Sequence, residues 1–236
     1  MAVHFTGPLR QRRSVSGLRQ WFSELPVGED PDFIVYFNDF LVAQDYAASD
    51  WVITTTEAGA FSASEALAAD ELGGALLITN DNADDDSDSL QHTEEVWKCA
   101  AGKRTWFESR LKVSDADAVD MFVGLGITDT TPLDTSDRVG FQIDDGNASI
   151  LCKSEKNSTE TSTDSGVDAA DDTYVVLGFY WDGINKMEFS VNRSVVATHT
   201  SNNPDDENLC ITLHLVNGAA AAKTMTVDYI YVAQER

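Results

Sequence analysis

An antiparallel β-sandwich of two sheets, preceded by an extended N-terminal arm, is the all-β fold class this sequence predicts, and three observations predict it. From residue 33 onward the chain consists of short apolar or alternating runs cut by turn residues, the texture of strands rather than helices. Its 236 residues are 42% hydrophobic, enough for one sizeable core, and sandwiches of this length occur as single domains. Consecutive runs are joined by tight-turn chemistry: Asp144-Asp145-Gly146-Asn147 and Asp182-Gly183 supply the residues that accept positive φ in a hairpin. We expect an arm and linker over residues 1–30 and a sandwich over 31–236.

In chain order, strands are expected at 33–40, 51–56, 75–79, 94–100 and 105–113, then at 119–127, 138–143, 148–152 and 173–181, and finally at 185–191, 195–200, 210–216 and 223–232. Thirteen strands exceed what a small immunoglobulin-like domain holds. In 105–113, Phe107, Ser109, Leu111 and Val113 alternate with Glu108, Arg110 and Lys112; in 185–191, Met187, Phe189 and Val191 alternate with Glu188 and Ser190. Period two assigns one dry and one wet face to each. The Ala-rich segment 62–72, with Ser64 as a cap, reads as a helix or an ordered loop. Segments 80–89 and 153–172 are polar and read as exposed loops, the second as a hairpin extension or a flap.

The charge is lopsided. Forty acidic residues face sixteen basic ones, a formal net charge of −24, yet Arg10, Arg12, Arg13 and Arg19 precede the first acid, Glu24, with Trp21 and Phe22 close behind. Guanidinium forks beside apolar rings are interface composition, so these six residues are the expected partner-binding set of the arm. So acidic a body repels phosphate backbones and anionic lipid, which argues against nucleic acid and membrane as partners. Cys99, Cys152 and Cys210 have no metal-ligand spacing and are expected as free thiols.

FESRLKV (107–113), MFVGLGI (121–127), YVVLGFYWDGINKMEFSVN (174–192) and MTVDYIYV (225–232) together resemble the concanavalin A-like jelly roll of lectins and glucanases, and the FYWDG turn is similar to the penultimate hairpin of laminin G-like modules. GLRQWFSELPVG (17–28), DFIVYFNDF (32–40) and NGAAAAKTMTVDYIYVAQER (217–236) resemble the head decoration, or cement, proteins of tailed bacteriophages. That second resemblance implies a non-enzymatic structural protein on the outer capsid surface of a virion, made in the host cytoplasm. It would be attached to the major capsid protein through the arm, and homo-oligomeric on the shell. A carbohydrate-binding, lectin-like module displayed on the same virion is the alternative.

A glucanase would carry its two carboxylates on one strand as Glu-x-Asp-x-x-Glu or Glu-x-Asp-x-Glu, and no such run is present. Glu108, flanked by Arg110 and Lys112, reads as a solvated cross-strand charge, and the four histidines are scattered, so no catalytic residue is expected. The acidic run 81–89 lacks the glycine and closing glutamate of an EF-hand. It reads as a solvated loop in which Asp81, Asp84 and Asp86 are weak calcium candidates, and no other cofactor is expected. Trp51, Trp97 and Trp106 read as core. Trp181, just before the Asp182-Gly183 turn, is the tryptophan best placed for exposure, so Trp181 and Asp182 are the candidate glycan contacts.

Overall fold

The computed structural model describes residues 32–42, 46, 50–58, 63–69 and 71–236; the arm residues Arg10, Arg12, Arg13, Arg19, Trp21 and Phe22 lie outside them. The described residues form fifteen strands: β1 (Phe33–Asn38), β2 (Trp51–Thr56), β3 (Ser64–Leu67), β4 (Leu76–Thr79), β5 (Ser87–His92), β6 (Thr105–Val113), β7 (Val119–Gly126), β8 (Arg138–Asp144), β9 (Asn147–Lys156), β10 (Thr159–Asp168), β11 (Val175–Trp181), β12 (Met187–Val191), β13 (Ser194–His199), β14 (Cys210–Asn217) and β15 (Thr224–Glu235). They make two antiparallel sheets. One is ordered β13-β12-β11-β6-β15-β4-β3, with β1 also paired to β15; the other is β10-β9-β8-β7-β14-β5-β2.

The alternation read from the sequence sets the sandwich. Phe107, Leu111, Met187 and Phe189 of the eight-stranded sheet meet Val123, Phe141, Leu213 and Leu215 of the seven-stranded sheet in one core. Phe107 stacks on Phe179 at 4.9 Å within the eight-stranded sheet, and Phe141 meets Phe189 edge-on at 5.6 Å, tying sheet to sheet. Such offset and T-shaped pairs suit the ring quadrupole and add to the burial. Both hairpins form as expected: β8 passes to β9 through Gly146 (φ 78°), and β11 to β12 through Gly183 (φ 77°). The three cysteines are free and buried, and burial pushes the Cys152 thiol up to about 12.

Three expectations are corrected and one open alternative is decided. Residues 94–100 hold only an isolated bridge between Trp97 and Leu209, because the chain turns here between the two sheets instead of running along one. The described residues of segment 62–72 are not helical. Ser64–Leu67 is an edge strand on β4, with Leu67 packed against the core, so pairing overrides alanine's local preference. Of segment 80–89, Ser87 onward belongs to β5. Segment 153–172 takes the first of its two expected forms, a hairpin extension made of the end of β9, β10 and the turn that follows, and β10 is polar because its inward threonines meet polar partners.

Those partners centre on His199 of β13. Its ring lies 2.8 Å from Ser154 Oγ and 3.0 Å from Thr163 Oγ1, joining the two sheets near their β13 and β10 edges, and 4.7 Å from the Phe189 ring. Burial lowers its pKa to about 4. The folded state therefore holds His199 neutral where the unfolded chain, near 6.5, takes up a proton, so its contribution is full above pH 6.5 and is lost as pH falls toward 4. We expect His199→Gln, which offers one donor and one acceptor without titrating, to flatten the acid loss of the urea midpoint over that window. A parallel decline in both proteins would show that His199 does not drive it.

Candidate functional site

The candidate site is the outer face of the seven-stranded sheet. Across its middle, register aligns Gln142 of β8, Phe122 of β7 and His214 of β14 in one row. In the next row Gly140 and Gly124 face each other, flanked by Lys153 and Thr212, with Gln91 beyond. The glycines are required by close approach: a Cβ on Gly124 would lie 2.2 Å from Val139 O, and one on Gly140 2.3 Å from Val123 O. Without side chains there, the floor of this face is backbone.

Two elements wall it. At one end the chain after β7 arches over the sheet, where Gln91 donates to Ile127 O at 3.1 Å and accepts from Asp129 N at 3.0 Å. Arg138 lies beneath that arch. It donates to Pro132 O, pairs with Glu155 at 2.9 Å and Glu160 at 3.1 Å, and places its guanidinium 5.3 Å from the Phe122 ring centre. Lys153 also binds Glu160, at 2.9 Å. At the other end stand Asp120 and Asp144, which come side by side because the register pairs Met121 with Ile143. Burial, together with the charges of Asp144, Asp145 and Asp85, raises the Asp120 pKa.

In the centre, polar atoms are left over. Gln142 donates its amide to Asp144, yet its Oε1 is buried with no hydrogen-bond partner; the same holds for His214 Nδ1 on the other side of Phe122. Burial lowers the His214 pKa to about 4, so at neutral pH the ring is uncharged and carries one donor and one acceptor. An unpaired buried polar atom costs roughly 1–3 kcal/mol, which a ligand's hydroxyl groups can recover once the side chain turns out to meet them. The arrangement suits a neutral, hydroxyl-rich ligand.

The residues singled out in the sequence lie elsewhere. Trp181 is 2% exposed and donates Nε1 to Ala100 O at 3.0 Å, so it is core and cannot stack on a sugar. Asp182 accepts from the amides of Ile184, Asn185 and Lys186, which makes it the fastener of the β11–β12 turn. Among the calcium candidates, Asp86 uses both oxygens on backbone amides, of Ala58 at 2.7 Å and Ala83 at 2.8 Å, and Asp81 accepts from Asn82 N. Asp84 is exposed, and among the described residues no group of three acidic, histidine or cysteine side chains could hold a metal ion. Glu108 is not solvated. It lies on the outer face of the eight-stranded sheet, held by Arg193 at 3.0 and 3.3 Å and by Tyr229 Oη at 2.7 Å.

No family model matches the chain, and no curated protein matches it. Solved structures do match in fold. An endo-1,3-β-glucanase from Streptomyces sioyaensis is similar at a TM-score of 0.59 and 16% identity, over 89% of this chain and 99% of that one. A mixed-linkage glucan GH16 protein of Bacteroides ovatus in complex with its product is similar at a TM-score of 0.59 and 13% identity, over 84% and 99%. The carbohydrate recognition domain of Emp46p, in its potassium-bound form, is similar at a TM-score of 0.53 and 11% identity, over 83% and 94%. The fold is therefore the concanavalin A-like jelly roll. The expectation that the chain is not an enzyme is overturned by these neighbours, several of which are glucanases or glycosyl hydrolases.

Proposed function

We propose that the chain is a carbohydrate-active jelly roll that binds a glycan along the outer face of the seven-stranded sheet. The observation that carries this reading is the pair of buried, unpartnered polar atoms, Gln142 Oε1 and His214 Nδ1, placed either side of Phe122 beside the Gly124–Gly140 floor. Amide and neutral imidazole groups exchange directional hydrogen bonds with sugar hydroxyls without a net charge to desolvate. The capsid attachment expected from the arm finds no support among the similar structures, and glycan binding replaces it as the leading account.

Titration calorimetry with β-1,3 and mixed-linkage gluco-oligosaccharides tests the reading. Gln142→Leu and His214→Phe, each removing one of the two polar atoms, are expected to weaken binding at least tenfold while leaving the far-ultraviolet dichroism unchanged. A panel of neutral glycans that shows no binding at millimolar concentration would sink it. Reducing-end release from the same glucans, compared between the native chain and Asp120→Asn, reports whether the bound sugar is also cleaved at that end of the face.

A further inference from the structure

Among the described residues, β1 is an edge strand without the usual protections. It pairs with β15 from Phe33↔Glu235 to Asn38↔Ile230 in unbroken register, while β4 occupies the other half of the same side of β15. Among the described residues no strand pairs with its second edge. Edges are ordinarily blunted by charge, proline, a bulge or a cover. FIVYFN has no charged residue and no proline, in a chain of 40 acids and 16 bases, and its register has no bulge. Of its outward side chains Phe33 is covered by Trp106, while Val35 is 40% and Phe37 59% exposed, and Leu41 and Val42 just beyond are 65% and 73% exposed. The Phe37 ring lies 6.3 Å from Tyr229 and 6.5 Å from Tyr231, so the patch continues over the neighbouring strand.

We propose that this edge is the seam of a homodimer, in which β1 of a second copy adds antiparallel to β1 and continues the eight-stranded sheet across a two-fold axis. Self-complementarity argues for a second copy. With Val35 on the axis, Phe37 of one copy falls opposite Phe33 of the other on the outer face, and Ile34 falls opposite Tyr36 on the core face, so apolar meets apolar from residue 33 to 37, and Asn38 falls opposite Asp32 at either end. Charge argues the same way. Two chains of −24 repel over most of their surfaces and can approach closely only where charge is absent, and this strand is such a stretch. A partner selected by the acidic surface would be basic and would gain nothing from an uncharged strand.

The test is sedimentation equilibrium of the full chain over a range of concentrations at 0.1 M and 1 M salt. The expected result is a species of twice 25.8 kDa whose association tightens with salt, because the Debye length shrinks from ~10 Å to ~3 Å and screens the repulsion between copies. A basic foreign partner would show the opposite salt dependence. Phe37→Asp and Val35→Lys are each expected to weaken dimerisation at least tenfold, and neither side chain is needed for the core. Hydrogen exchange needs no variant: β1 amides should exchange more slowly as the concentration of the native chain rises. A monomer at every concentration and both salts, a dimer unaffected by both substitutions, or β1 exchange independent of concentration would each overturn the proposal.

Discussion

Gly124→Ala is expected to cost more than ~3 kcal/mol and to shift the urea midpoint by more than any surface substitution in this chain, because its new Cβ would sit 2.2 Å from Val139 O and 2.6 Å from Gly140 Cα. Both obstacles are backbone, so no side-chain rotation relieves the contact. β7 and β8 must part, and with them the central pairing of the seven-stranded sheet on which the candidate site is built. Gly126→Ala is the control two residues along the same strand. There the nearest atoms to an added Cβ are 3.6 Å away, ordinary van der Waals contact, and alanine suits a strand better than glycine. It is expected to stay within ~1 kcal/mol of the native chain. Similar midpoints for the two variants would show that the strands can separate at Gly124 without cost.

Asp88→Asn is expected to stabilise the protein at pH 8–9 and to lose that advantage as pH falls toward 4. Asp88 is fully buried on β5 between the sheets, where Thr55 donates to its Oδ1 at 3.1 Å and Glu65 of β3 and Glu57 lie near. Burial first, then the hydrogen bond and charge of Glu65, raise its pKa from 3.8 to about 8. Between those values the folded state keeps a proton that the unfolded chain has released, so stability falls as pH rises through the window and levels off above it. Each tenfold change in proton affinity is worth about 1.4 kcal/mol, and even with much of the shift shared with Glu65 the gain at pH 8–9 should exceed ~2 kcal/mol. Asparagine mimics the protonated acid in shape and cannot ionise. Denaturant melts of both proteins from pH 4 to 9 check this; curves of constant separation would mean that Asp88 does not carry the proton. His199 changes stability in the opposite direction below pH 6.5, but it is common to both proteins and cancels from the difference.

Period-two patterning made the fold readable before any coordinates. The split of 105–113 into Phe107, Leu111 and Val113 against Arg110 and Lys112 reports which side of a strand is apolar, and that side is the core. The glycine turns at Gly146 and Gly183 fixed two hairpins, since positive φ at those positions leaves the chain few other routes. Where side chains on both faces are polar the signal vanishes. β10, TETSTDSGVD, reads as a loop because its inward threonines bond to His199, Ser201 and Asn202 instead of packing against an apolar face.

By itself, then, the sequence determined the two-sheet sandwich, the hairpins, the free thiols and the core tryptophans, all of which depend on neighbours within a few residues or on burial as such. Only the tertiary structure decided which polar residues meet. Asp120 and Asp144 are 24 positions apart and adjoin through the register of β7 on β8; Glu108 is buried by Arg193 and Tyr229, far along the chain; Trp181 turns inward to Ala100. Alternation along a strand tells which way a side chain points, but not which residue lies beside it on the next strand. That is set by the pairing register, and the pairing register is a property of the assembled sheets.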